Sequence, residues 1–378
     1  MKNVRFSIII IILLVSLNAC PPLEEDELSD VITFTGQLDR DAWFDILDTI
    51  ATEGRNIKLD LKKSTYVDGN VYGGLIAVTV NDGGLPKTYI AFDPVPAIKW
   101  GKDKIVSIIL PDAAQYINPA TLNNVSEENE NVKRNSAFRN FTKLDSVSAA
   151  NVSHIGNYAF TDCVSLKKLD FPKLALGIDP SGDEPADIGH FAFKGCTSLT
   201  EVKFNLAAVI GRYAFKDCTS LTAVDFPSVL IIGQNAFEGC TSLVEAQFEK
   251  VTSIGKESFK NCKNLKNLCF ITSDSMFFDK SAFAGCTAFQ TLDVGNAKKV
   301  FFNEGALENT SRSIDILLYD DDHPQTEMFL GTGDSITLRD VFLYVVIGAE
   351  KITFDNHNSI AYFIKDKYPS IGVGIRSR

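Results

Sequence analysis

A cysteine recurs through the middle of the chain at an almost constant interval. Six cysteines are separated by 33, 22, 22, 22 and 24 residues, and the residues around them recur at fixed offsets. A unit of 22 residues is too small to bury its own apolar side, so successive units must stack on one another. The period therefore predicts a solenoid. The six cysteines are Cys163, Cys196, Cys218, Cys240, Cys262 and Cys286.

Each unit carries apolar residues at fixed distances from its cysteine, as in Ile210, Phe215, Leu221 and Phe226 around Cys218. The residues just before the last phenylalanine alternate polar and apolar, which predicts a short strand. Copies of this strand should pair in parallel at about 4.8 Å per coil. The glycine after each isoleucine predicts a tight turn that needs backbone freedom. The Ala-Phe-x-x-Cys segment predicts a short helical or 3₁₀ turn.

A solenoid exposes apolar surface at both ends, so we expect capping segments on either side of the repeats. Alternation and helical spacing predict a helix over 41–52, a strand over 57–61, a hairpin over 78–92, a strand over 341–347 and a helix over 359–368. The predicted divisions are a signal peptide (1–19), an acidic tether (20–31), an N-terminal capping region (32–104), the solenoid (105–318) and a C-terminal capping region (319–378).

The repeated pattern I-G-x-x-A-F-x-x-C-x-S-L-x-x-V-x-F resembles the BspA-like class of leucine-rich repeats, found in bacterial surface lipoproteins. The resemblance implies a leucine-rich repeat solenoid of α/β type, strand-rich, with a parallel sheet stacked at the 22-residue period and a cap at each end. It also implies adhesion or other protein contacts as the function. No catalytic residue is a family property, so none is carried over.

The N-terminus has the pattern of a targeting segment. Lys2 and Arg5 precede the apolar stretch 6–17, which is too short to span a bilayer and fits the core of a signal peptide. The following Leu-Asn-Ala-Cys resembles the lipobox of bacterial lipoproteins, which implies cleavage before Cys20 and a covalent lipid on that residue. The alternative is an ordinary secretory signal in which Cys20 is incidental. Apart from this lipid, we expect no cofactor.

The charge balance argues against nucleic acid as a partner. The chain has 37 Lys and Arg against 48 Asp and Glu, a net charge of −11, whereas nucleic-acid binders are usually basic. Cleavage of the signal would remove two positive charges, and the segment that follows is acidic. We therefore expect membrane attachment through the lipid alone, in the bacterial envelope, with the outer membrane or cell surface favoured over a periplasm-facing position.

The chemistry-bearing residues do not form a recognisable catalytic or metal site. The repeated cysteines lie one per coil, without the paired spacing of a zinc site. They are expected to form a buried thiol ladder, although the spacing alone does not exclude disulfides. Cys269 occupies an outward strand position and is expected to be an exposed free thiol. His154 and His190 are interpreted as solvated turn residues, and the 320–323 Asp/His run as an exposed acidic turn.

The outward residues of the repeated strands are the best candidates for partner contact, because packing leaves their identity free. The alternative is an ordinary solvated sheet face. A second candidate is the insertion at 175–187, which breaks the period and is either a contact element or a tolerated loop. The predicted partner-binding residues are Lys167, Lys168, Glu201, Lys203, Asp225 and Glu245.

These observations together predict a lipid-anchored, noncatalytic module that binds a protein or extracellular-matrix partner. A structural scaffold that faces the periplasm and has no extracellular ligand is the alternative. An enzyme would need a group of converging polar residues, which the spacing does not provide.

The lipid anchor can be tested by replacing the cysteine. Cys20→Ser is expected to abolish acylation and to move the protein from the detergent phase to the aqueous phase in Triton X-114 partitioning, because the acyl chains supply the membrane affinity. Unchanged partitioning of the variant would show that the lipoprotein interpretation is wrong.

Overall fold

Short strands form where the sequence alternates, once in every coil of the computed structural model. In Glu201–Lys203 the central Val202 is buried, and both neighbouring side chains are exposed. The structure describes residues 9–10, 30–66, 74–80, 87–93, 101–117, 137–174, 187–270, 275–294, 297, 299–303, 305–307, 309–310, 313–318, 327–331, 342–347, 350–354 and 373–376. Its strands build a parallel solenoid of about eight turns with little helix, as predicted.

The elements follow one another in a regular order. They are β1 (Ile9–Ile10), β2 (Asp30–Thr33), α1 (Arg40–Glu53), β3 (Ile57–Asp60), β4 (Gly74–Val80), β5 (Lys87–Asp93), β6 (Ile105–Ile109), β7 (Tyr116–Ile117), β8 (Ser146–Ser148), β9 (His154–Ile155), β10 (Lys168–Asp170), β11 (Glu201–Lys203), β12 (Val209–Ile210), β13 (Ala223–Asp225), β14 (Ile231–Ile232), β15 (Glu245–Phe248), β16 (Ser253–Ile254), β17 (Asn267–Phe270), β18 (Ser275–Phe278), β19 (Thr291–Asp293), β20 (Lys299–Phe302), β21 (Ser313–Leu318), β22 (Glu327–Gly331), β23 (Phe342–Ile347), β24 (Glu350–Phe354) and β25 (Val373–Arg376).

A regular coil contributes one strand to each of two sides. The leucine side consists of two sheets, of order β1-β2-β3-β6-β8-β10 and β11-β13-β15-β17-β19-β21-β23-β24. Its repeat strands follow the unit's leucine, whereas the end strands β1 and β24 pair antiparallel with their neighbours. The isoleucine side contains the Ile-Gly strands, in sheets of order β4-β5-β7-β9 and β12-β14-β16-β18-β20-β22-β25. Neighbouring repeat strands pair in parallel with a 22-residue offset, such as Val202 with Val224 and Val224 with Ala246.

Columns of identical side chains fill the space between the two sides. Phe193, Phe215 and Phe237 are fully buried and stack face to face, with ring centroids 5.2 and 5.3 Å apart. Each buried phenylalanine contributes about 1.5–3 kcal/mol relative to an exposed one. Filling one inward position in every coil accounts for much of the count of 27 phenylalanines.

The glycines of the Ile-Gly column permit close approach between coils, which differs from the predicted role. None of Gly189, Gly211, Gly233 and Gly255 has a positive φ. A Cβ atom on Gly233 would lie 2.7 Å from the carbonyl carbon of Gly211 in the preceding coil. The glycine is therefore required because the backbones of stacked coils touch at this point.

Left-handed residues occur elsewhere in each coil, so the predicted short helical or 3₁₀ turn is present only as single turns and not as a helix. Tyr213 and Asp217 have φ values of 58° and 60°, on either side of Phe215. The segment before each cysteine is therefore a series of separate i→i+3 turns, such as Cys218 N to Phe215 O. Asp, Asn and Gly, which tolerate this conformation best, hold the position before the cysteine. From Asp162 to Gly285 that position alternates between a residue with a carboxyl or amide group and glycine.

The N-terminal segment extends the solenoid. Strand β2 pairs in parallel with β3, β3 pairs in parallel with β6, and α1 follows β2 in the chain. Asp39 caps the helix by accepting a hydrogen bond from Ala42 N at 2.8 Å, and Gly54 ends it at φ 70°. The predicted helix and hairpin are thus present. Among the described residues, no helix is long and apolar enough to cross a membrane. The predicted helix over 359–368 lies outside those residues.

Candidate functional site

The leucine-side face presents polar side chains in register over a buried layer. The outward positions form one column from Glu201 through Ala223 to Glu245, and a second from Lys203 through Asp225 to Gln247. Successive coils bring these residues about 4.8 Å apart. The structure therefore places Glu201, Lys203, Asp225 and Glu245, all predicted contact residues, on one continuous sheet.

The two remaining predicted residues lie on a different sheet. Lys168 begins β10, and Lys167 directly precedes it. No backbone hydrogen bond joins β10 to β11, so the leucine side is divided into two ladders at this point. The break coincides with the extra residues after Phe171, whereas the isoleucine side continues through bridges between Ile155, Ile188 and Ile210.

Charges on the leucine-side face are paired in part. Lys203 Nζ lies 2.6 Å from Asp225 Oδ2, and Lys167 Nζ lies 3.7 Å from Asp145 Oδ2. The hydrogen bond and charge of Asp225 raise the pKa of Lys203 above its usual value. All four side chains are well exposed, so these pairs contribute little to stability. Lys168, Glu201 and Glu245 have no ion pair within the described part of the chain.

Directly after the insertion, the carboxylate of Asp187 takes the place of a backbone carbonyl in the hydrogen-bond ladder. In a regular coil, Leu230 N donates to the carbonyl of Ala208 at 2.7 Å. One coil earlier, Asp187 Oδ2 accepts instead from Ala208 N at 2.5 Å and from Val209 N at 3.0 Å. The buried Asp187 therefore replaces a carbonyl that the regular repeat would supply. Its role is structural, and the offset pattern alone did not reveal it.

The interpretation of His154 as a solvated turn residue was wrong. His154 is in register with Tyr116 on the isoleucine side, its ring lies 5.4 Å from the tyrosine ring, and only 3% of its surface is exposed. Its Nδ1 has no hydrogen-bond partner among the described residues. Burial lowers its pKa to about 4, although the nearby Asp187 acts in the opposite direction. His190 is half-buried, and its Nδ1 accepts a hydrogen bond from Arg212 N at 2.8 Å.

The six repeated cysteines form the expected buried ladder of free thiols. Each Sγ donates to the carbonyl oxygen of the phenylalanine in the preceding coil, at 3.0 to 3.2 Å. That carbonyl also accepts a backbone bond within its own coil, as Phe215 O does from Cys218 N. Burial raises the pKa of the thiols from Cys163 to Cys262. These thiols are therefore links between coils and poor nucleophiles.

Cys269 is less accessible than predicted. It lies on the leucine side but is partly buried, and its Sγ is 3.6 Å from Asp293 Oδ2. Partial burial and the Asp293 carboxylate raise its pKa to about 11. Within the described ranges, no group of three or more His, Cys, Asp or Glu side chains is placed to hold a metal ion. The 320–323 run and Cys20 lie outside them.

The family of the chain follows from the repeat. A family model described as "BspA type Leucine rich repeat region" matches residues 101–181 and 183–312 in six copies, more than half of the chain. The protein therefore belongs to the BspA-type leucine-rich repeat family. A comparison with curated proteins finds no match.

Several solved structures of bacterial leucine-rich repeat proteins are similar to this chain. A leucine-rich repeat protein from T. pallidum is 20% identical, with 59% of this chain and 80% of that chain covered and a TM-score of 0.36. A leucine-rich cell surface protein from Faecalibacterium prausnitzii is 15% identical, with 87% and 93% covered and a TM-score of 0.25. The pneumococcal vaccine antigen PcpA is 12% identical, with 92% and 94% covered and a TM-score of 0.30.

The buried imidazole predicts acid sensitivity. In the unfolded chain His154 binds a proton below its ordinary pKa of 6.5, whereas in the fold it does so only near pH 4. The neutral ring therefore contributes stability above pH 6.5 that is lost as the pH falls toward 4, about 3 kcal/mol at most. Denaturant unfolding should show that the free energy of unfolding falls less between pH 8 and acidic pH for His154→Phe than for the wild type. Superimposable pH profiles would contradict this assignment.

Proposed function

We propose that the protein is a lipid-anchored, noncatalytic binding module of the bacterial cell envelope. The supporting observation is the leucine-side face, where a fixed buried layer carries outward side chains that differ from coil to coil. Leucine-rich repeat solenoids are typically binding scaffolds, and nothing in the family comparison points to an enzyme. The partner is a protein or an extracellular-matrix component.

The form of the face determines how such a partner is held. Each coil offers only two outward side chains, so contacts extend over several coils from Lys168 to Glu245. No aromatic side chain on these strands provides an anchor of the kind that dominates many interfaces. Affinity for one copy is therefore modest, and many anchored copies on one surface supply avidity.

The anchor is supported by the sequence before the fold. Cys20 ends a lipobox-like pattern, and an acidic tether separates it from β2. Acyl chains on Cys20 hold the protein at the membrane. Exposure at the cell surface, rather than a position facing the periplasm, places the leucine-side face where an external partner can reach it.

The leucine-side face is tested by reversing its charges. The triple variant Lys168→Glu, Glu201→Lys, Lys203→Glu should weaken adhesion to immobilised fibronectin, laminin or collagen at least tenfold, and wild-type adhesion should fall with salt. Lys63→Glu, on an exposed residue between β3 and β4 and outside both β10–β15 and the isoleucine-side ladder, is the matched control.

A deletion distinguishes the face from the insertion. If removal of residues 176–185 abolishes adhesion and charge reversal does not, the contact element is the insertion. If neither change alters adhesion, or no partner is retained at all, the binding proposal fails and the scaffold alternative replaces it.

A further inference from the structure

The isoleucine side carries a second ladder of outward side chains, and most of them are apolar. The inward residues Ile210, Ile232, Ile254, Phe278 and Phe302 are buried. The residue before each of them is in register with its counterparts and points outward. These outward residues are Val209, Ile231, Ser253, Phe277 and Phe301.

One position of this ladder lacks an apolar side chain. Ser253 pairs with Ile231 on one side and with Phe277 on the other. Ile231 and Phe277 are 45% and 46% exposed, among the highest values for large apolar residues in the described chain. Leu230, beside Ile231, is 39% exposed. The small serine therefore leaves a gap between two exposed apolar walls.

The geometry of the gap suits a planar side chain. Phe277 stacks on Phe301 with ring centroids 4.5 Å apart and an interplanar angle of 4°. The opposite face of the Phe277 ring is therefore turned toward Ser253. Two coil spacings, about 9.6 Å, separate the Phe277 and Ile231 layers. An inserted ring midway would lie about 4.8 Å from each layer, within the range of stacked aromatic pairs.

The unpaired charges around the gap are mainly positive, although the protein is acidic overall and the exposed Glu249 lies beside Lys250. Arg212 and Lys256 each follow the isoleucine-side strand of their coil by two residues, and Lys250 precedes β16 by three. Arg212 and Lys250 are exposed, and Lys256 is half-buried. None of the three forms an ion pair with a described residue. This rim complements an acidic ligand and repels a second copy of itself.

We propose that the gap above Ser253 receives an aromatic side chain carried on an acidic segment of a protein partner. The bound ring would complete the ladder between Ile231 and Phe277, and acidic residues on either side of it would contact Arg212, Lys250 and Lys256. This site lies on the isoleucine side and is separate from the proposed contacts of the leucine-side face, so either can fail without the other.

The test measures binding of fluorescein-labelled peptides to the full chain by fluorescence anisotropy. The main peptide is Glu-Glu-Trp-Glu-Glu. In one comparison peptide Ala replaces the Trp, and in the other Lys replaces each Glu. The acidic tryptophan peptide should bind at least tenfold more tightly than either comparison peptide. Ser253→Phe fills the gap and should weaken binding at least tenfold, whereas the matched control Ser253→Ala keeps the gap open and should bind like the wild type.

Two further variants separate loss of the gap from loss of the fold. If Ser253→Phe does not fold, Phe277→Ala removes one wall and should weaken binding by a similar factor. The leucine-side triple charge variant should bind the peptide normally. Equal binding of the alanine and tryptophan peptides, or unchanged binding by Ser253→Phe and Phe277→Ala, would overturn the proposal. The proposal would also be overturned if Ser253→Phe abolished self-association of the protein, or abolished its binding to phosphatidylglycerol vesicles, because the gap would then have a different occupant.

Discussion

Direct contact between the backbones of successive coils is the constraint on which the structure depends. At Gly211, Gly233 and Gly255 the chain approaches the coil before it so closely that a Cβ atom would lie within 3.0 Å of backbone atoms. This approach brings strands on both sides within pairing distance and stacks the phenylalanine rings about 5 Å apart. It also brings each cysteine thiol to the carbonyl of the coil before it.

The inward architecture was predictable because the period determines it. Once units of 22 residues must stack, the phenylalanine, leucine and cysteine columns have to be buried, and the strands have to pair in parallel. The role of the glycines was not predictable in the same way, because a turn and a close approach both select glycine. His154 was misplaced since its burial depends on Tyr116, which lies in a weak copy of the repeat. The break between β10 and β11 follows from the extra residues after Phe171, but only the structure shows that it is restricted to one side.

Packing fixes only the inward positions of each coil. The outward positions therefore form two surfaces with different chemistry, one on the leucine side and one on the isoleucine side. The leucine side carries mixed charges, including Glu201, Lys203 and Asp225, and suits a broad, salt-sensitive contact. The isoleucine side carries an apolar ladder that Ser253 interrupts. The repeat offsets already showed the first surface. The offsets also contain the isoleucine-side surface, because its residues directly precede the inward isoleucines. Only the exposure of Ile231 and Phe277 in the structure shows that this surface is apolar and open to a partner.

The central claim, that coils touch through the Ile-Gly column, is tested most directly by the free energy of unfolding of Gly233→Ala. A Cβ atom there meets the Gly211 carbonyl carbon at 2.7 Å, and backbone atoms cannot move aside as a flexible side chain can. The account predicts a loss of at least about 1–3 kcal/mol, whereas the exposed control Glu245→Ala, in β15 on the leucine side, should change stability by less than about 0.5 kcal/mol. Equal stability of Gly233→Ala and the wild type would contradict the claim.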